Sequence, residues 1–207
     1  MLQLLTLHIG GTVRRTACAT QPEVLWVVSA KNRIVETIKI FDRYPPLTNR
    51  VAYQLKFLRQ MLATEKRGLP APLVVKRYLA RRALKFAGVS LLPARPPAAF
   101  LTAPYYPAWL SGFVEAVGCF CVRASGQCSF SIGQKHGRDV LEAICAYIKT
   151  NARVVQRSGA DEFFVFETYN RQSLARLLTH FRACPLLGEK ANQLAVFSAH
   201  VVSPSPK

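Results

Sequence analysis

Acidic residues are scarce in this sequence: 11 Asp and Glu stand against 28 Lys and Arg in 207 residues, a formal charge of +17. A field of that sign disfavours cationic partners and favours polyanions, with RNA or DNA the default. The imbalance is also local. From Lys66 to Val114 the chain carries Lys66, Arg67, Lys76, Arg77, Arg81, Arg82, Lys85 and Arg95 and not one acid. Long apolar runs are missing as well, since charges or prolines interrupt every stretch before the roughly 18 residues of a membrane span. The six cysteines include no CxxC pair and no histidine spaced to complete a zinc site. They read as buried thiols in a reducing compartment, and no metal or other cofactor is expected. The tightest group, Cys119, Cys121 and Cys128, reads most simply as two cysteines on one face of a strand with a third nearby.

Half the chain is apolar, enough to bury a core. The segment from Trp26 to Phe57 recurs without a gap at an offset of 140, as Phe41 and Phe181, Pro45 and Pro185, Leu47 and Leu187, and Phe57 and Phe197 show. Each copy reads as an apolar strand (Leu25 to Ser29; Phe163 to Glu167), an amphipathic helix, a proline break and a second helix. Ile34, Ile38 and Phe41 set the helical period in the first copy, and Leu174, Leu178 and Phe181 in the second. Pro45, Pro46 and Pro185 end those helices, because proline lacks the N–H and restricts the residue before it.

The second copy has more in front of it. Tyr106 to Val117 reads as a helix closed by Gly118, followed by strands at Cys119 to Ala124 and Gln127 to Ile132 around a Ser125-Gly126 turn. A helix from Arg138 to Lys149 follows, with Val140, Ile144 and Ile148 on one face, and then a strand from Arg153 to Gln156. The expected organisation is a truncated first repeat at 1–63, a Pro-rich basic linker at 64–104 and a complete second repeat at 105–207. Within the linker, Val74 to Ala87 reads as a basic helix carrying Lys76, Arg77, Arg81, Arg82 and Lys85, either beside polyphosphate or as a solvated spacer.

The run Trp109 to Phe120, WLSGFVEAVGCF, resembles the LAGLIDADG signature followed by the Gly-x-Phe that opens the first strand in that family of homing endonucleases and maturases. FSIGQK at Phe130 to Lys135, PLLGEK at Pro185 to Lys190, and KNRIVETIKIFDRYPPLT in the first copy resemble further stretches of the same family. The resemblance implies an α+β fold, a LAGLIDADG endonuclease-like pseudo-dimer of αββαββα units whose first unit is incomplete here. It also implies that two motif helices pack through small residues, and that the acid before each motif's last glycine holds a divalent metal. A four-stranded sheet on either side would lie in the major groove.

Carried over by position, the metal-binding acid falls on Val117, which has no lone pair to offer. Glu115 is acidic, but points about 200° away around a helix and reads as serving packing or a helix end. The first motif is not in this sequence, so no catalytic and no metal-binding residues are assigned. Gln134 and Lys190 match family positions that line the cleavage site. The candidate nucleic-acid-binding set is Arg14, Arg15, Arg123, Gln134, Lys135, Arg153, Arg157 and Lys190, together with the five linker cations.

These features favour a catalytically inactive RNA-binding protein, namely a structural rRNA-binding component of a mitochondrial ribosome. Its partners would be rRNA, ribosomal proteins or another chain covering exposed apolar surface near residues 1 to 30. An intron maturase is the second reading and a residual DNA endonuclease the third. Mitochondrial placement follows the family's habit, with the chloroplast open. The first 22 residues carry Arg14 and Arg15 and no acid, as transit peptides do, but the repeat argues against removal there.

Overall fold

The structure is a computed structural model that describes residues 1–16, 23–66, 70–83, 94–159 and 162–202, with the backbone alone at residues 64–66, 71 and 81–83. The elements run α1 (Leu2–Ile9), β1 (Thr12–Arg15), β2 (Val24–Val27), α2 (Lys31–Arg43), α3 (Asn49–Lys66), α4 (Ala71–Ala83), α5 (Pro97–Leu101), α6 (Tyr106–Val117), β3 (Gly118–Val122), β4 (Cys128–Lys135), α7 (Arg138–Ile148), β5 (Val155–Gln156), β6 (Phe163–Thr168), α8 (Arg171–Ala183) and α9 (Lys190–Val202). The order α1-β1-β2-α2-α3 repeats as α7-β5-β6-α8-α9, which is the duplication expected from the offset of 140. Two compact units divide the chain, Met1–Pro46 and Leu47–Lys207. That division falls ahead of the repeat boundary expected at residue 63, because Leu47 is 5% exposed in the core of the second unit.

In the first unit β1 and β2 form an antiparallel ribbon, from Thr12 opposite Val27 to Arg15 opposite Val24. Gly10 and Gly11 join α1 to β1 at φ of 88° and 90°. A Cβ on Gly11 would lie 2.7 Å from the Val27 carbonyl oxygen, so this turn needs glycine for space as well as for its left-handed backbone. The Trp26 indole N–H donates to the Gly10 carbonyl at 2.8 Å and fixes the ribbon to the end of α1. Leu7, Val24 and Leu25 are exposed, consistent with the apolar surface expected near residues 1 to 30.

The second unit holds a four-stranded antiparallel sheet in the order β3-β4-β6-β5. Phe130, Ile132 and Phe166 alternate onto one face and are almost fully buried among Leu110, Ile144, Leu177 and Phe197 of α6, α7, α8 and α9. Helices α6, α7, α8 and α9 therefore cover one side of the sheet, as is common for an antiparallel sheet. Asn170 caps α8 by accepting from the Ser173 N–H at 3.0 Å, and Lys149 ends α7 in the left-handed region at φ 52°. The expected hairpin turn is present, with Gly126 at φ 78°.

The Pro-rich linker is less bare than its composition suggests. The basic helix expected over Val74 to Ala87 is α4 at Ala71–Ala83, and Lys85 lies outside the described residues. At the far end α5 inserts Phe100, fully buried, against α7. Arg95 stacks its guanidinium 4.3 Å from the Phe100 ring centroid and pairs with Asp139 at the start of α7 at 3.5 Å. Among the described residues no helix is long and apolar enough to cross a membrane.

Candidate nucleic-acid interface

Strand alternation decides what the open face of the four-stranded sheet presents. With Phe120, Phe130, Ile132, Phe164 and Phe166 turned to the helices, the intervening residues point the other way. Cys119 and Cys121 stand opposite Ser131 and Ser129, and Ser131, Gly133 and Lys135 stand opposite Glu167, Val165 and Phe163. Val155 lies opposite Val165 on the last strand. Val154 packs on the core, so its neighbours Arg153 and Val155 point outward, and both are exposed. Cations thus rim a face that is small and polar around Ser129, Ser131 and Gly133 and apolar at Phe163, Val165 and Val155: Arg123 follows β3, Lys135 ends β4, and Arg153 and Arg157 flank β5.

At one end of this face Arg123 stacks 5.0 Å over the ring of Tyr169, hydrogen-bonds its hydroxyl, and pairs with Glu167 at 3.8 Å. Glu167 titrates below the usual carboxylate range, chiefly through the Ser129 hydroxyl beside it and further through Tyr169 and the charge of Arg123. No sequence pattern marks Glu167 or Tyr169 in advance. Their place on this face depends on a register that only the pairing with β4 reveals.

The sequence-derived set divides in space. Arg123, Lys135, Arg153 and Arg157 share the open face, whereas Gln134, one residue from Lys135, alternates to the other side, where its side chain crowds Gly137. In the first unit Arg14 and Arg15 are neighbours on β1 and lie on opposite faces. The repeat equates Arg14 with outward Val155 and Arg15 with Gln156. Lys76 and Arg77 are exposed on α4, Arg81 and Arg82 lie on its last turn, and Lys85 is outside the described residues. The expectation of buried thiols fails for Cys119 and Cys121, which are exposed, and holds for Cys128 and Cys145. Both alternate sets on β3 are apolar, so composition alone leaves its buried face undefined.

The motif helix α6 presents Ala108, Gly112 and Ala116 as an exposed stripe of small residues and buries Tyr106, Leu110, Ser111 and Val114. Its inner side is anchored by a chain of hydrogen bonds. Tyr147 of α7 meets Nδ1 of His180 at 3.0 Å, Nε2 of His180 meets the Ser111 hydroxyl at 3.1 Å, and Ser111 donates to the Cys184 carbonyl at 2.6 Å. Because Ser111 spends its proton on Cys184, it accepts from Nε2–H, which leaves Nδ1 to accept from Tyr147. Burial lowers the pKa of His180 in keeping with this neutral tautomer.

At the end of α6, Val117 is 38% exposed. The Glu115 carboxylate turns away, accepting the Lys190 N–H through Oε1 at 3.4 Å at the start of α9. A Cβ at Gly188 would collide with that carboxylate, so glycine there opens its path. Lys190 is thereby brought beside the motif. No group of three or more His, Cys, Asp or Glu fit to hold a metal occurs among the described residues. A divalent cation wants several hard oxygen ligands, and the residues at this end of α6 do not fit one.

A family model described as LAGLIDADG endonuclease matches residues 110–200. A probable intron-encoded endonuclease aI3 of Dictyostelium citrinum is 35% identical over 184 residues, covering 88% of this chain and 70% of the relative. The protein of the same name from Debaryomyces hansenii is 32% identical, covering 95% of this chain but 31% of the longer relative. Among solved structures, the LAGLIDADG meganuclease I-AabMI bound to uncleaved DNA superposes with a TM-score of 0.71 at 19% identity, over 97% of this chain and 76% of the other. The homing endonuclease I-GzeII in complex with its DNA target gives 0.69 at 13% identity, over 97% and 75%. These likenesses bear out the expected α+β LAGLIDADG-type fold.

They also overturn two expectations. A structural rRNA-binding role in a mitochondrial ribosome finds no counterpart, since the relatives are named intron-encoded endonucleases and the neighbours are bound to DNA. A charge of +17 suits either nucleic acid, so charge could not choose RNA. The expectation of a catalytically inactive protein is overturned by the same names. Val117 concerns one position of the motif and does not by itself decide activity.

Proposed function

Because this chain belongs to the LAGLIDADG endonuclease family, we propose that it binds a DNA duplex as part of an intron-encoded homing endonuclease. The observation that carries this reading is the face of the β3-β4-β6-β5 sheet turned away from α6, α7, α8 and α9 and rimmed by Arg123, Lys135, Arg153 and Arg157. A two-stranded or broader ribbon fits the major groove. There the rim cations would meet phosphates while Ser131 and its neighbours face base edges. Lys190 beside the motif and the α4 cations Lys76, Arg77, Arg81 and Arg82, followed by Lys85, would supply further phosphate contacts, and Arg14 would offer one on the first unit's own ribbon. The small-residue stripe of α6 would receive a second motif helix. We infer a setting with an organelle genome, most simply the mitochondrion, from the intron-encoded relatives.

An intron maturase is the second reading, and Val117 is what favours it: this half keeps its cations while lacking the motif's oxygen ligand. Fluorescence anisotropy with three probes separates the two. Preference for the intron-insertion duplex over a scrambled duplex and over folded intron RNA supports the first reading. Preference for the folded intron RNA supports the second, and equal weak binding to all three rejects both.

A further inference from the structure

The four strands of the open sheet contain one acid, Glu167. It is exposed on the same face as the rim cations, directly opposite Ser131. Ser129, Tyr169 and Arg123 already support the carboxylate on this surface, and because a carboxylate has about four lone-pair sites its exposed side can accept from one donor more. In the major groove the exocyclic amino group of cytosine is such a donor, and carboxylates accept from it. Adenine is the poorer match, because its amino group lies beside the N7 acceptor, which would face the carboxylate.

Glu167 is also held in place. Arg123 pairs with it at 3.8 Å and is itself fixed over Tyr169. The pair therefore presents an acceptor beside a planar fork of donors. This complements a C·G pair, in which the cytosine amino donor lies across from guanine O6 and N7. We infer that Glu167 is a specificity-determining residue that selects cytosine at one position of the duplex, with Arg123 placed to meet the paired guanine. The inference rests on the duplex-binding reading above.

Selection of bound sequences from a randomised duplex library, performed with the 207-residue chain and its Glu167→Ala and Glu167→Gln variants, tests it. Glu167→Ala is expected to lose about five- to hundred-fold of cytosine preference at one position, the span of a good base contact. Glu167→Gln, close in shape and neutral, is expected to move that position toward adenine, with which glutamine pairs in two bonds. An unmoved sequence profile in both variants overturns the inference, marking Glu167 as a mere counter-charge. A profile matching that of Arg123→Ala overturns it too, because Glu167 would then act only through the arginine. If the unaltered chain enriches no sequence, the duplex-binding reading falls and this inference with it. Enrichment by the unaltered chain with unmoved variants removes the inference alone.

Discussion

His180 sits at the middle of a one-way chain of donors that runs from Tyr147 through its ring to Ser111 and on to the Cys184 carbonyl. Every position in that chain is already filled, so a second ring proton would take away the acceptor that Tyr147 uses. Burial lowers the His180 pKa below the ordinary 6.5, and the sign of the pH effect follows. The unfolded chain binds this proton at a higher pH than the folded one does, so the contribution to stability is complete above the unfolded value. It is lost as pH falls through 6.5 toward the folded value. Urea midpoints measured from pH 7.5 to 5 are expected to decline for the parent and to decline less for His180→Gln. Ser111→Ala should cost about 1 kcal/mol in the same measurement at neutral pH, since it leaves the Cys184 carbonyl and the His180 N–H without their shared partner. Adjacent residues also show how far sequence reaches at this scale. Gln134 and Lys135 fall in one family stretch, yet period-two alternation parts them, so that the resemblance grouped what the pleat separates. Glu167 left no such trace in composition, because its meaning depends on which strand stands beside it.

Among the elements, α9 depends on an acid that belongs to another helix. Glu115 lies near the end of α6 and reaches the first N–H of α9 through the gap that Gly188 leaves. A carboxylate at a helix N-terminus satisfies an unpaired donor and meets the positive end of the helix dipole. Glu115→Gln is expected to lower stability by about 0.5 to 1 kcal/mol in chemical denaturation. Gly188→Ala should destabilise as well by closing that path, and the two changes should be less than additive because they break one contact. Most elements were legible beforehand where period and breaker agreed. The residues of α6 match the expected helix at both ends, and α7 and α8 follow from apolar spacing with prolines or a turn to stop them. Two were not. In α1, LQLLTLHI is apolar on nearly every side and offers no stripe to read. In α5, proline density reads as linker although Phe100 makes the segment part of the core.

For the whole molecule, the excess of 28 basic over 11 acidic residues sets a strong salt dependence for any nucleic-acid complex. The rim residues separate from the general field by experiment. Arg153→Ala and Arg157→Ala are each expected to reduce the slope of log affinity against log salt by about 0.9 on duplex DNA. Arg15→Ala, on the face opposite Arg14, should change it less. Binding isotherms at four salt concentrations would measure both, and equal slopes for all three variants would contradict the assignment of faces. The family and the duplication are legible from motif and offset, whereas the choice between RNA and DNA is not, since phosphate charge is common to both.

The exposed thiols of Cys119 and Cys121 give this surface a second chemistry. If the sheet face receives a duplex as proposed, it cannot shelter the cysteines it carries, so oxidants and alkylating agents reach that face before they reach Cys128 or Cys145. Occupancy would then double as protection: a chain with its groove partner in place keeps its sulfurs, and an idle one ages first at the surface it works with.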